Sequence, residues 1–124
     1  MTERETIDAF VSSLGNAERH NFPETGSCNT VPVVQGIYLI AGPDNQVLHI
    51  GRSVRRQNGL RGRINDHLKG RSSFVRAFLA RDRQQLRRGY TFQYIEIPDD
   101  RERALAEAAA IGWYCPKHLG LGAR

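Results

Sequence analysis

The sequence has few cysteines, the residues that build zinc fingers and disulfide scaffolds, and it has no long apolar run. Its two cysteines, Cys28 and Cys115, lie 87 positions apart without a Cys-x-x-Cys pair. That spacing argues against a zinc finger and favours free thiols. No stretch approaches the roughly 20 apolar residues that span a bilayer. The first residues include acids where an export signal carries bases, so we expect a cytoplasmic protein with no membrane partner.

Lysine is also scarce, because 16 of the 18 basic residues are arginine. The planar guanidinium of arginine matches phosphate geometry and stacks on bases. The basic segment, residues 51–88, carries twelve basic and two acidic residues, a net charge of +10, whereas the rest of the chain carries −5. This concentration predicts a polyanionic partner, and nucleic acid is the first class to consider.

Hydrophobic periodicity predicts one domain that mixes helices and strands. The 124 residues are enough for one core and too few for two ordinary domains. Helices are predicted over residues 3–14, 60–69 and 73–88 and from Asp99 to about Cys115, and strands over residues 33–41, 46–51 and 91–97. The helix at 73–88 is expected to bury Val75, Phe78, Leu79 and Leu86. Residues 16–32 lack periodicity and are predicted to form a loop.

The first two strands are predicted to form a β-hairpin, because the turn-forming residues 42–45 join them. If the loop is those four residues, Ala41 pairs with Gln46. Tyr38 then lies directly opposite His49 on the same face of the sheet. A slip of one residue in this register would send one ring to the other face.

Polar side chains stand out on two of the predicted helices. Arg63 and His67 lie four residues apart along the edge of an apolar stripe. Glu107 is the only polar residue in the run from Ala104 to Ile111. Because an unpaired carboxylate on a packed face is costly, Glu107 should reach water or have a metal or cationic partner, such as Arg103 or an arginine of the basic segment.

These residues resemble the motifs of the GIY-YIG nuclease domain. Gly36–Tyr38 matches the first motif, and His49–Gly51 follows ten residues later in the place of the second. Arg63-x-x-x-His67 follows on the next helix, and Glu107-x-x-x-Ile111 precedes Pro116 in the manner of the C-terminal motif. The resemblance covers residues 33 to about 119. It divides the chain into an N-terminal helix-and-loop extension, 1–32, and a GIY-YIG-like domain, 33–124.

The resemblance implies a fold and a reaction. The fold class is α/β of the α+β type, with a small three-stranded antiparallel sheet flanked by helices. The activity is hydrolysis of DNA phosphodiesters with one Mg²⁺ or Mn²⁺ ion, which Glu107 would ligate. Tyr38 would act on the attacking water as general base or positioning partner, and Arg63 would stabilise charge on the phosphate. His67 would hydrogen-bond Tyr38, the water or a phosphate oxygen.

Two positions depart from the family pattern. His49 stands in the place of a tyrosine, and Leu119 stands where the family often has an asparagine. An imidazole can accept or donate protons near neutrality, so His49 is also a candidate catalytic residue. The residues expected to contact nucleic acid are Arg52, Ser53, Arg55, Arg56, Arg61, Lys69, Arg71 and Arg76. For Arg52 and Ser53, the turn after the second motif would offer backbone amides to phosphate.

The leading hypothesis is therefore a metal-dependent DNA endonuclease. Since a domain of 14.0 kDa has little surface for reading a long sequence, we expect it to recognise a DNA structure or to work in a complex. A repair, restriction or mobile-element system would suit such an enzyme, and a protein partner or homo-oligomer stays open. The second hypothesis is a nuclease-like binding module without turnover. The third is a protein-interaction domain, similar to an antitoxin, whose basic segment meets an acidic protein.

Overall fold

A four-stranded antiparallel sheet with helices on both faces forms the protein in the computed structural model, which describes residues 1–54 and 58–120. The helices are α1 (Glu3–Asn16), α2 (Gly59–Leu68) and α3 (Asp100–Tyr114), and the strands are β1 (His20–Asn21), β2 (Gly36–Ala41), β3 (Val47–Arg52) and β4 (Thr91–Glu96). The strand order is β1-β4-β2-β3, which makes β3 an edge strand. The α+β class is confirmed. None of the helices in the described ranges has the length and apolar character needed to cross a membrane.

The sheet has one strand more than the three that the family resemblance implied. His20 and Asn21, within the segment predicted to be loop, pair with Phe92 and Thr91 of β4. A two-residue strand carries no periodic pattern, because alternation needs several residues to be visible. The imidazole of His20 stacks on Phe92 with ring centroids 5.4 Å apart, which helps to hold this short edge in place.

The loop between β2 and β3 is longer than the predicted four residues. Gly42 N donates to Gln46 O at 3.0 Å, so Gln46 belongs to the loop. Asn45 turns the chain with a φ of 65°. A bulge between Ile40 and Ala41 adds a further irregularity to the ladder. Together the longer loop and the bulge shift the pairing of β2 with β3.

The predicted pairing of Tyr38 with His49 is therefore wrong. Tyr38 lies opposite Gly51, and His49 lies opposite Ile40. Successive side chains alternate between faces, so a shift of two positions returns them to the original face. Tyr38 and His49 consequently still share one face, as diagonal neighbours instead of a direct pair.

The predicted α-helix over residues 73–88 is also wrong. This stretch contains a π-helical turn at Phe74–Phe78 and a 3₁₀ turn at Arg83–Arg87. Between them Ala80 and Arg81 adopt φ values of 51° and 68°, a left-handed conformation that interrupts a right-handed helix. Of the four side chains expected to be buried, Val75, Leu79 and Leu86 are buried, whereas Phe78 is 41% exposed.

The two faces of the sheet bury separate apolar clusters. On one face, Tyr38 and Ile40 pack against α2 and the turns that follow it. On the other, Ile37 and Leu39 pack against α1 and α3. The N-terminal helix thus covers a face of the sheet instead of its edge. Residues 36–41 are buried on both sides, which explains why β2 reads as an almost continuous apolar run.

Side-chain caps define the ends of the helices that cover this second face. The Thr2 side chain accepts a hydrogen bond from Glu5 N, and the Asp99 side chain accepts one from Glu102 N at 2.9 Å, so a side chain caps the N-terminus of each helix. The buried amide of Gln93 donates to the carbonyls of Leu14, Gly15 and Ala17, at 3.1–3.2 Å, and so satisfies the C-terminal end of α1.

Candidate active site

Three rings meet on the α2 side of the sheet, at the β3 end. Tyr38 comes from β2, His49 from β3 and His67 from α2, and their centroids lie 5.3–5.9 Å apart. The Tyr38 ring lies over Gly51. A Cβ on Gly51 would lie 2.6 Å from the Cζ of Tyr38, which is closer than atoms can pack. The glycine of the second motif therefore provides the space that Tyr38 occupies.

A chain of buried hydrogen bonds links Tyr38 of the first motif to α2 and to the turn that follows α2. The Tyr38 hydroxyl lies 2.8 Å from His67 Nε2, and His67 Nδ1 lies 2.7 Å from Ser72 Oγ. Ser72 Oγ also accepts a hydrogen bond from Val75 N at 3.2 Å. Tyr38 and His67 are both 0% exposed. The predicted contact between Tyr38 and His67 is therefore present, and it lies behind the surface.

Burial sets the protonation of this chain. It lowers the pKa of His67 well below the usual range for histidine, and the charges of neighbouring groups act in the same direction. It also raises the pKa of Tyr38, against the opposing charge of Arg63. Both groups are consequently neutral near pH 7. Their role as a pair is to fix geometry with satisfied hydrogen bonds.

His49 occupies the outer side of the ring cluster. Its ring stacks on Phe74 with centroids 5.1 Å apart, and its Nδ1 lies 3.1 Å from Nδ1 of His118. Burial lowers the pKa of His49 to about 3, and His118 and Arg63 contribute to the shift. His49 is thus a neutral imidazole at physiological pH. It orients hydrogen bonds well and is a weak base.

Arg63 projects from α2 beside the rings. Its Nη1 donates to Asp66 Oδ2 at 3.2 Å. Its Nε is buried and has no hydrogen-bond partner among the residues that the structure describes. A buried donor without a partner is costly, because it has lost its water and gained nothing in return. The Tyr38 hydroxyl is the neighbour with the largest influence on this guanidinium, and it raises the pKa of Arg63.

Glu107 reaches the same region from α3, on the other side of β3. Its Oε1 lies 3.4 Å from Arg52 Nη1, and its side chain is 23% exposed. Burial raises the pKa of Glu107, and the charges of Arg52 and Arg63 oppose that rise. Among the cationic partners expected for Glu107, the structure shows Arg52, an arginine of the basic segment. Arg103 instead bonds backbone carbonyls, including Ile97 O at 2.9 Å.

These groups surround a cleft of about 320 Å³ along the outer edge of β3. Its walls are formed by His49, Ile50, Gly51, Arg52, Arg63, Ser73, Glu107, Ile111 and Gly120. Three of the five predicted catalytic residues, His49, Arg63 and Glu107, line the cleft itself. The other two, Tyr38 and His67, lie in the layer behind His49.

The donor set limits the kind of metal ion that this cleft could hold. In the described part of the chain, no group of three or more His, Cys, Asp or Glu side chains is placed to bind a metal. Glu107 is the carboxylate that lines the cleft. Mg²⁺ usually keeps several waters and binds through one or two carboxylates and the phosphates of a substrate. The residues present therefore fit a largely hydrated Mg²⁺ or Mn²⁺ ion and do not fit an all-protein cage.

The residues predicted to contact nucleic acid divide into three groups. Arg52 lines the cleft, and Arg61, Lys69 and Arg71 line a second, polar groove of about 530 Å³. These four residues form the first two groups. The third comprises the residues away from both surfaces: Arg76 is exposed, and Ser53 is fully buried. Arg55 and Arg56 lie outside the described residues and belong to no group.

The placement of Ser53 corrects its interpretation as a contact for phosphate, because the backbone amide expected to face phosphate instead donates to Gly36 O at 3.0 Å. Its hydroxyl accepts a hydrogen bond from Gly36 N at 2.9 Å and donates one to Gln35 Oε1 at 2.9 Å. Ser53 therefore joins the start of β2 to the end of β3. It supports the strands that carry Tyr38 and His49.

Sequence reasoning missed two residues of the site, Ser72 and His118. Ser72 is a single hydroxyl between predicted helices, and no spacing rule distinguishes it. One feature of the sequence pointed to His118: the chain has four histidines, and two of the others were already candidate catalytic residues. It stands next to Leu119, the position noted for a missing asparagine.

Comparison with known proteins finds no match to any family model and none to a curated protein. The geometry of the cleft is therefore what supports a functional proposal.

Proposed function

We propose that the protein is a divalent-metal-dependent endonuclease that hydrolyses phosphodiester bonds in DNA. One observation carries the proposal: side chains from β3, α2 and α3 converge on a single cleft, with a hydrogen-bonded Tyr38–His67 pair directly behind it. The cleft gathers a carboxylate, two guanidinium groups and a neutral imidazole. That combination suits a charged phosphate, an attacking water and a hard cation.

Each group has a chemical role in this proposal. Glu107 would hold the ion, which when bound supplies charge compensation for the phosphate and a lower pKa for a coordinated water. Arg63 lines the cleft, where it hydrogen-bonds a phosphate oxygen and stabilises the charge that develops during attack. His49, neutral at physiological pH, orients the attacking water with its ring nitrogen.

Tyr38 has a positioning role because its hydroxyl is buried. The hydrogen bond to His67 fixes both rings, and both rings pack against His49. The first motif thus acts through the second. This role is narrower than direct action on the attacking water, and it follows from the depth at which the ring lies.

The basic segment supplies the affinity for DNA. Arg61, Lys69 and Arg71 share one groove, and cations placed along a groove can track a phosphate backbone. Each phosphate that the protein neutralises releases counterions, so the logarithm of the affinity falls linearly with the logarithm of salt concentration.

A second candidate function is DNA binding without cleavage, and two features favour it. Tyr38 has no exposed surface, and Arg52 lies against the Glu107 carboxylate that an ion would need. A site in this arrangement could bind a phosphate backbone through its arginines and leave the bond intact. The same experiment separates the two functions.

The test is cleavage of supercoiled plasmid and branched DNA in Mg²⁺ or Mn²⁺, with the wild type beside Glu107→Gln. Glu96→Gln is the matched control, because it makes the same charge change at an exposed carboxylate. We expect metal-dependent nicking by the wild type and by the control, and loss of nicking in Glu107→Gln. DNA affinity and circular dichroism should be the same in all three proteins.

The other outcomes point elsewhere. If no protein cleaves and all three bind DNA in a salt-sensitive way, the binding module is the better description. If Glu107→Gln cleaves at the wild-type rate, the cleft is not the active site. If the wild type neither cleaves nor binds DNA, an acidic protein partner becomes the hypothesis to test.

A further inference from the structure

The chain after α3 turns back along β3. Cys115 ends the helix in a left-handed conformation, with a φ of 49°. Lys117 N then donates to Val47 O at 3.4 Å, and His118 N donates to Leu48 O at 2.8 Å. These backbone bonds use the free edge of β3, which would otherwise lack partners. They also place the His118 side chain next to His49.

The ring of His118 is held on several sides. Its Nδ1 lies 3.1 Å from Nδ1 of His49, and the two ring centroids are 5.1 Å apart. Phe74 and Phe78 pack around it, with centroids 5.5 and 6.2 Å away. His118 is therefore fixed by backbone and ring contacts, and its Nδ1 faces Nδ1 of His49.

Two imidazole nitrogens at this distance share one proton, because one must donate and the other accept. If His49 donates from Nδ1, its Nε2 has no proton and can accept a hydrogen bond. If His118 donates, Nε2 of His49 carries a proton and can only donate. Arg63 lines the same cleft and is a donor with a positive charge. A neighbouring positive charge favours a lone pair over an N–H group on Nε2 of His49.

We propose that His118 is a positioning residue for His49: it accepts a hydrogen bond from Nδ1–H of His49 and so keeps Nε2 of His49 unprotonated. This inference rests on the proposed hydrolytic function for its consequence, which is that Nε2 accepts the hydrogen bond of the attacking water. The arrangement follows the general rule that the partner of one imidazole nitrogen sets the state of the other. His118 itself does not touch the substrate.

The test uses the full chain labelled with ¹⁵N at histidine, with His118→Leu and His118→Asn as the two variants. Imidazole ¹⁵N shifts report directly which nitrogen of His49 carries the proton. We expect Nε2 of His49 to be unprotonated in the wild type and partly protonated in His118→Leu. Asparagine places an acceptor oxygen near the position of Nδ1, so His118→Asn should restore the wild-type shifts.

Cleavage gives the second readout. His118→Leu should reduce kcat by about tenfold or more with little change in KM, and His118→Asn should recover most of the loss. The proposal is overturned if Nε2 of His49 is protonated in the wild type, or if His118→Leu leaves the His49 shifts unchanged. If the shifts respond as expected but no protein cleaves DNA, the pairing stands and the nuclease proposal fails.

Discussion

Substitution of Gly51 by alanine tests how tightly the two motifs are coupled. Gly51 lies opposite Tyr38 in the sheet, and its added Cβ would lie 2.6 Å from Cζ and 3.0 Å from Cε1 of that ring. The ring cannot simply move aside, because it is fully buried and hydrogen-bonded to His67. We expect the strands to separate locally and the Tyr38–His67 hydrogen bond to break.

Both responses cost free energy. Forcing an extra methyl group into a packed site costs about 1–3 kcal/mol. Leaving the buried hydroxyl without its partner costs about 1–3 kcal/mol more. The loss of glycine's freedom in the unfolded chain returns about 0.4–1 kcal/mol. The middle of these ranges gives a net loss of about 3 kcal/mol in the free energy of unfolding for Gly51→Ala.

Urea unfolding measures this loss. With a slope of about 1–3 kcal/mol per molar urea, the midpoint should fall by at least about 1 M. Gly112→Ala on α3 is the control, because nothing lies within 4 Å of the added Cβ. It should leave stability unchanged or raise it by up to about 1 kcal/mol. If Gly51→Ala is as stable as the wild type, the Tyr38 ring is not held over Gly51.

Three further predictions concern stability. Because the folded-state pKa of His49 is about 3 against 6.5 for a free histidine, the unfolded state binds the extra proton between these values. His49 should therefore contribute a fall of up to about 1.4 kcal/mol per pH unit in the free energy of unfolding below pH 6, and His49→Phe should lose that contribution. Urea midpoints at pH 7.5, 5.5 and 4.5 measure both slopes, and equal slopes for the two proteins would contradict this. Gln93→Met should cost about 1–3 kcal/mol in urea, because three carbonyls at the end of α1 lose their donor; a variant of wild-type stability would show that water replaces the amide. Asp99→Ala should lower the free energy of unfolding by about 1 kcal/mol, because the N-cap of α3 is lost. Thermal unfolding measures this as a lower midpoint temperature, and an unchanged midpoint would refute that role.

Sequence patterns predicted the elements whose side chains repeat with a clear period. The hairpin, α2, β4 and α3 lie close to their predicted positions, because each buries one continuous apolar face. The segment 73–88 has apolar residues at helical spacing too. Its left-handed Ala80 and Arg81 are set by packing of the two turns against the sheet, and no local propensity favours that conformation in alanine or arginine.

The predicted pairing of β2 with β3 was wrong for a similar reason. Loop length and the bulge at Ile40 and Ala41 depend on local hydrogen bonds, such as Gly42 N to Gln46 O, that a turn-forming sequence does not specify. Because the predicted register was wrong by two positions, Tyr38 and His49 still lie on the same face of the sheet. The shared face of Tyr38 and His49 could therefore be predicted, whereas the close packing of the Tyr38 ring on Gly51 could not.

The candidate site was predictable where one element carried two groups. Arg63 and His67 share a helix, so their spacing placed them together. Glu107 was marked by its isolation on an alanine-rich face, and its partner Arg52 was one of several open choices. His118 depends on a chain reversal after α3 that brings residues 69 positions apart into contact. Spacing along the sequence carries no information about such a contact.

Hydrolysis at this cleft is tested most directly by cleavage in H₂¹⁸O. Mass spectrometry of the products from a short duplex in Mg²⁺ should find one ¹⁸O in the terminal phosphate of each wild-type cleavage event, because the attacking group is water. Glu107→Gln should give no labelled product, and Glu96→Gln should match the wild type. Cleavage without ¹⁸O in the phosphate, or equal labelling by Glu107→Gln, would contradict a hydrolytic site built around Glu107.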